Sequence, residues 1–255
     1  MRTIVLFIVL MFCSAASYAL SDLRYYTEEY PPYNFTSNGK INGIAVDMLL
    51  QASQLVESEV DLKSIKLYPW PRDYRIVRST PNTVLFSTAR ITHRESLFKW
   101  AGPIGETRIV VLAKKINNIE ITQPSDITNY SLGVVLDDIG EQLAMKAGVP
   151  LERMDHANTA VPLVKMLYYD RVQLIAYEEQ VVLWSIEKAG LDIDEFEVVG
   201  VLETVNLYYA FNLETSDVYV EKMQRGIDLL KQNKDSNGKS AYDNIVDKYM
   251  NWRED

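Results

Sequence analysis

Cysteine is almost missing from this 255-residue chain, and the single one, Cys13, lies in an apolar N-terminal run. With no other cysteine, the chain has no disulfide to brace it and no thiolate for catalysis or zinc, so a hydrophobic core must hold the fold. Histidine is nearly as scarce: His93 and His156 are the only two, and they form no metal-spaced pair with acids at helical intervals. No metal and no cofactor is expected. Glycine and proline are few, at 11 and 9, and no low-complexity tract occurs, so disorder is not expected. The chain has no glycine-rich phosphate loop and no Gly-x-Ser-x-Gly elbow. No pair of acids is marked out for glycoside chemistry. These absences argue against an enzyme. Basic blocks are missing as well, and a formal charge of −9 makes nucleic acid a poor partner. Beyond the N-terminal run, no apolar stretch is long enough to cross a bilayer.

That N-terminal run has the order of an export signal. Met1-Arg2 gives a positive start, residues 3–12 are apolar, and Ser17-Tyr18-Ala19 puts small residues at the two positions a signal peptidase reads. The apolar stretch is about half of the ~20 residues a membrane span needs. Phe12 precedes Cys13 where a lipoprotein signal wants a small residue. Residues 1–19 are therefore expected to be a removed signal peptide, leaving a soluble, monomeric protein in the periplasm that begins at Leu20.

The rest of the chain alternates between strand and helix patterns. Strands are predicted at 23–27, 65–68, 84–87, 108–113, 132–135, 172–176, 198–201 and 208–211. Helices are predicted at 44–56, 72–78, from Asp137 through Ala147, and at 159–169, 178–189, 218–232 and 241–250. Between the first strand and helix, Glu28-Glu29-Tyr30-Pro31-Pro32-Tyr33-Asn34-Phe35 reads as an extended loop, because the two prolines hold the backbone out. Such alternation indicates α/β lobes with mainly parallel sheets. Ligands of such sheets sit at the carboxyl ends of strands, where loops meet helix N-termini. Tyr33, Trp70, Arg90, Arg94, Asp138 and Glu178 fall at such places.

Each of these residues has a chemical reason to be there and an ordinary alternative. Arg94 offers a guanidinium fork to a carboxylate that loses water on entering a cleft; the alternative is an ion pair with Glu95. Arg90 shares the loop, and the sequence does not separate the two arginines. Glu178 follows a strand and would meet an ammonium group, although an acid there also suits a helix N-terminus. Asp138 has the same two readings, capping included. Tyr33 and Trp70 would supply apolar walls able to stack on a cation, or else core packing. His93 reads as a loop residue beside the cleft.

Five segments resemble the amino-acid-type solute-binding proteins of ABC importers, family 3, which have the two-lobed Venus-flytrap fold. Tyr30-Pro31-Pro32-Tyr33-Asn34-Phe35 with Gly43-Ile44-Ala45-Val46-Asp47 is similar to that family's aromatic loop and first helix. The segment 86–95, continued by Phe98-Lys99-Trp100-Ala101-Gly102-Pro103, resembles the part that carries its carboxylate-binding arginine. Leu132-Gly133-Val134-Val135 to Gly140-Glu141 resembles the opening of the second lobe. The strand ending Ala176-Tyr177-Glu178 is similar to the one that turns an acid toward the ligand amine. Residues 238–250 resemble the closing helix.

The resemblance implies a type 2 periplasmic binding protein: one lobe of residues 20–106 and 206–255, a second of 107–205, and two crossings near 103–108 and 203–208. It also implies a small polar ligand, an amino acid or a close relative, and a membrane permease of an ABC importer as partner. Two departures bear on the ligand. Arg90-Ile91-Thr92-His93 replaces the usual lead-in to the arginine. Asp137-Asp138-Ile139 stands where Gly-Thr-Thr usually holds a carboxylate, which makes that corner suited to a cation. Two alternatives stay open: a cyclohexadienyl-dehydratase-like enzyme on the same fold, and a sensor module that presents ligand to a receptor.

Overall fold

The structure is a computed structural model and describes residues 18–250. The expected leader, with Cys13, lies outside the described residues except for its last two positions, Tyr18 and Ala19. In chain order the elements are β1 (Arg24–Thr27), β2 (Phe35–Ser37), β3 (Lys40–Asn42), α1 (Ile44–Leu55), β4 (Ile65–Leu67), α2 (Trp70–Ser79), β5 (Thr83–Ala89) and β6 (Phe98–Lys114). They continue with β7 (Leu132–Val135), α3 (Ile139–Lys146), β8 (Met154–Ala157), α4 (Ala160–Tyr168), β9 (Leu174–Glu178), α5 (Glu179–Lys188), β10 (Phe196–Asn212), α6 (Asp217–Gln232) and α7 (Ala241–Met250).

Eight strands are joined in the order β4-β1-β5-β10-β6-β9-β7-β8, with β2 and β3 as a separate hairpin. The architecture is two α/β lobes hung on one long antiparallel pair. In the first lobe β1 pairs in parallel with β4 and β5; in the second β7 pairs in parallel with β8 and β9. Every residue of β5, β7 and β9 is buried, which is why these strands read as short continuous apolar runs rather than alternating ones. In the first lobe α1 packs on α6 and α7, and in the second α4 packs on α5 and the sheet.

The connection between lobes corrects the sequence reading. The strands expected at 198–201 and 208–211 are one 17-residue strand, β10, and the strand at 108–113 is the second half of an equally long β6. Residues 202–207 look like a break in the sequence. In the structure they pair with β6, as Thr204 with Arg108, Val205 with Thr107 and Leu207 with Gly105. That pairing satisfies backbone groups that would otherwise have no partner. Register shifts between Val198 and Gly200, Val201 and Glu203, and Leu207 and Tyr209 bend the ribbon as it passes from one lobe to the other.

Two glycines shape the cleft. Gly43, at φ +126°, opens α1 under the aromatic loop, where an added Cβ would lie 2.3 Å from the Tyr33 carbonyl oxygen. Gly140 lets the start of α3 come against β9; a Cβ there would lie 2.3 Å from the carbonyl oxygen of Ala176. The first turn of α3, with Asp138 just before it, is thereby held at the end of the second-lobe sheet. Trp70 starts α2 two residues earlier than expected, with Pro71 in the first turn, where a missing N–H costs nothing.

Candidate functional site

Arg94 sits in a 3-10 turn, Thr92–Leu97, directly after β5 and its short exit loop. Its side chain is fully buried. The guanidinium carbon lies 5.0 Å from the Trp70 ring centre and 5.3 Å from that of Tyr74, and the two rings stack on each other at 5.4 Å. A guanidinium packs favourably against aromatic faces. From the second lobe, the carbonyl oxygen of Asp137 accepts hydrogen bonds from Trp70 Nε1 at 2.9 Å and from Arg94 Nη2 at 3.2 Å. The two lobes are thus in direct polar contact. Asp137 has φ +60°, a left-handed conformation that aspartate tolerates better than most residues. Arg94 Nε and Nη1 are buried and have no hydrogen-bond partner.

The second lobe contributes two buried acids that differ in kind. Glu178 is the last residue of β9 and the N-cap of α5. Its Oε2 accepts from the Val181 amide at 2.6 Å, and its Oε1 accepts from the Thr107 hydroxyl on β6. Burial pushes its carboxyl up to about 7, against those two hydrogen bonds. Asp138 occupies the matching N-cap position of α3 but makes no capping hydrogen bond, and its Oδ2 is buried without a partner. Burial raises its carboxyl, and Arg94 is the main influence in the other direction.

Glu28, Tyr30, Asp73, Tyr74 and Tyr177 join this site, and the sequence reading assigned a role to none of them. Glu28 follows β1. Burial holds its carboxyl well above the usual range, the neighbouring Asp138 and Asp73 raise it further, and Arg94 opposes them. Asp73 lies in the first turn of α2 with no exposed surface, and both its carboxylate oxygens lack partners. Burial pushes it up to about 7. Tyr30 meets Tyr177 across the cleft, edge to face at 6.0 Å, and the Tyr177 hydroxyl is another buried group without a partner. One signal was available: Glu28 directly follows the first strand, much as Glu178 ends β9. Asp73 gave none, because an acid in a helix's first turn is ordinary.

Of the six residues singled out from sequence, Trp70, Arg94 and Asp138 come together, with Glu178 beside Tyr177. Tyr33 is buried behind them, its hydroxyl donating to the Glu106 carbonyl at 3.1 Å. Arg90 does not join the site. It pairs on the surface with Glu95, Nε to Oε2 at 2.8 Å and Nη2 to Oε1 at 2.6 Å, and its guanidinium lies over Trp100 and Tyr208. His93 lines a separate groove of about 660 Å³ between the lobes, with Gln142, Lys146 and Glu203. Among the described residues, no three acids, histidines or cysteines stand close enough to hold a metal ion, and no helix is long and apolar enough to cross a membrane.

No family model and no curated relative matches the chain. Solved structures do. A histidine kinase sensor domain with similarity to periplasmic binding proteins superposes with TM-score 0.76 at 15% identity, covering 89% of this chain and 96% of that one. An ancestral arginine-binding protein bound to arginine gives 0.74 at 20% identity, covering 90% and 98%. The arginine-, lysine-, histidine-binding protein ArtJ from Geobacillus stearothermophilus gives 0.71 at 15%, covering 89% and 95%. At these identities the likeness is one of fold: the chain has the two-lobed Venus-flytrap architecture of periplasmic amino-acid-binding proteins.

Proposed function

We propose that this protein binds a small polar solute of amino-acid type between its lobes, in the periplasm, and delivers it to the permease of an ABC importer. The observation that carries the reading is a set of buried, unpartnered polar atoms drawn from both lobes: Arg94 and Asp73 from one side, Asp138 and Tyr177 from the other. A buried polar group without a partner costs ~1–3 kcal/mol, and native proteins keep few of them. A solute with a carboxylate for Arg94 and an ammonium group for Asp138 satisfies both lobes at once. Since only the closed form offers both sets, binding favours closure. The arginine-binding proteins of like fold support an amino acid as the class of solute. The export signal at residues 1–19 supports the periplasm. The lobes follow as residues 20–106 with 206–255, and 107–205.

The test is calorimetry on the purified mature protein against the solute recovered with it by native mass spectrometry. Arg94→Ala is expected to stay folded and to lose binding by ~2–5 kcal/mol, as for one partner of a desolvated charge pair. Unchanged affinity in a folded variant would remove Arg94 from the site. The sensor-domain likeness favours a second reading, in which the closed form docks on a receptor. Deleting the gene and measuring uptake of the recovered solute separates them: transport fails only if the protein feeds an importer.

A further inference from the structure

We infer that Glu141, backed by His156, is a positioning residue for lobe closure: it fixes the Asp137 carbonyl in the direction that meets Trp70 and Arg94, so that its loss opens the protein and shortens the stay of a bound solute. Only the second effect rests on the solute-binding reading above; the first belongs to the ligand-free protein. The Asp137 carbonyl accepts from the first lobe twice, from Trp70 Nε1 at 2.9 Å and from Arg94 Nη2 at 3.2 Å. From its own lobe it accepts once, from Gln142 Nε2 at 3.4 Å. Its direction therefore decides whether these two bonds between the lobes can form.

Asp137 does not set that direction by itself. Its φ of +60° is left-handed, a conformation that a residue other than glycine keeps where its surroundings hold it. Both peptide groups flanking Asp137 are held. The Asp138 amide, which shares a peptide unit with the Asp137 carbonyl, donates to the Val135 carbonyl at 3.2 Å. On the other side the Asp137 amide donates to Glu141 Oε2 at 3.4 Å. A glutamate at the third position of a helix ordinarily reaches back to the N-cap amide. Here the N-cap is Asp138, whose amide is taken by Val135, and Glu141 reaches one residue further. That bond is long, so the carboxylate must be steadied from elsewhere. His156 on β8 does this, with Nε2 at 2.8 Å from the same Oε2; against a carboxylate, that nitrogen is the donor. The Glu141 side chain is 7% exposed and that of His156 28%, so the pair runs inward from the surface of the second lobe. Both hydrogen bonds of Glu141 stay within that lobe, and its influence on the first lobe passes through the backbone of Asp137.

The experiment is small-angle scattering of the ligand-free mature protein beside Glu141→Ala, Glu141→Gln, Trp70→Phe and the double variant of Glu141→Ala with Trp70→Phe. Glu141→Ala should enlarge the radius of gyration. Glu141→Gln, whose amide oxygen can still accept from Asp137 and His156, should restore the natural value. The double variant should open no further than the more open of its two parents, because both substitutions act on one bonded carbonyl. A merely structural glutamate would lower the unfolding midpoint and leave the radius unmoved. With the solute recovered by native mass spectrometry, Glu141→Ala should dissociate about tenfold faster, the scale of one lost hydrogen bond to a charged group. An unchanged radius in Glu141→Ala, or a Glu141→Gln variant as open as Glu141→Ala, would overturn the positioning role. A natural protein already as open as the variants would overturn it too. If no solute is recovered, the binding reading fails and the radius alone judges Glu141. If Glu141→Ala does not fold, His156→Phe, at the more exposed end of the pair, takes its place: an enlarged radius is expected, and an unchanged one overturns the proposal.

Discussion

Replacing Asp73 by asparagine should stabilise the ligand-free protein at neutral pH, an unusual outcome for a fully buried residue. Asp73 has an ordinary pKa of 3.8 and is pushed up to about 7 by burial. Below about pH 4 the carboxyl is protonated in both the folded and unfolded chain and contributes nothing. Between about 4 and 7 the unfolded chain gives up its proton while the folded one keeps it, so stability falls as pH rises. Above 7 both are ionised and the full penalty stands. A rise of about three pKa units at ~1.4 kcal/mol each makes that penalty ~4 kcal/mol. Asparagine has nearly the same shape and cannot ionise. Its amide brings its own unsatisfied groups, at ~1–3 kcal/mol. The net gain at pH 8 is therefore ~1–3 kcal/mol, and at pH 4 it vanishes or changes sign.

Urea unfolding of both proteins by circular dichroism, at pH 4.5 and pH 8 without ligand, measures this directly. Glu178, also raised to about 7, acts in the same direction and remains in the variant, so the variant keeps a shallower slope rather than a flat one. Asp126, held at about 2, together with Asp243 and Glu95, both lowered, pulls the other way. Their contribution is present above the ordinary carboxylate range and is lost as pH falls toward 2, outside the window compared. An Asp73→Asn variant less stable than the natural protein at pH 8, or one with the same slope, would show that Asp73 has a partner and refute the reasoning.

Other consequences follow from the same geometry. Burial pushes Asp73 up to about 7, so binding a solute that sets an ammonium group against it at pH 6 should release protons. Calorimetry in phosphate and in imidazole should then give different apparent enthalpies, and equal enthalpies would refute the coupling. Trp70→Phe keeps the ring and removes the Nε1 bond to Asp137, a loss of ~1 kcal/mol from the closed form. Small-angle scattering of the ligand-free variant should show a larger radius of gyration, and an unchanged one would mean that this contact does not hold the lobes together.

The lobes were legible in the sequence because their strands are buried on both faces and their helices amphipathic, and both patterns survive without tertiary information. The long crossings were not. Residues 202–207, Leu-Glu-Thr-Val-Asn-Leu, carry no continuous apolar run, and only the partner strand β6 shows that their backbone is extended. Arg94 and Arg90 were equivalent in the sequence. They separate because Arg90 precedes the turn after β5 and Arg94 lies within it: one side chain faces solvent and Glu95, the other packs against the stacked rings of Trp70 and Tyr74. Asp73 was hidden by its setting, since WPRDYR is an ordinary helix start unless the buried face of that helix is known.

The two strand-end acids of the second lobe were indistinguishable for a different reason. Capping a helix and meeting a ligand call for the same residue type at the same junction. Their hydrogen bonds separate them. Glu178 is occupied at both oxygens, by Thr107 and by the Val181 amide, so its carboxylate already does structural work at the start of α5. Asp138 has an orphaned oxygen at the corresponding place and faces Arg94 and Glu28. Opposite outcomes follow for two conservative substitutions. At pH 5, below the value of about 7 to which burial pushes Glu178, Glu178→Gln should cost the ligand-free protein ~1–2 kcal/mol, the usual loss for a helix cap, with a small change in affinity. Asp138→Asn should leave the ligand-free protein as stable or more so, because it removes a buried carboxylate, and should weaken binding of the recovered solute at least tenfold. Unfolding curves and titrations on the two variants test both. If Asp138→Asn destabilises the empty protein and leaves affinity intact, Asp138 is the cap after all, and Glu178 is the acid that meets the ligand.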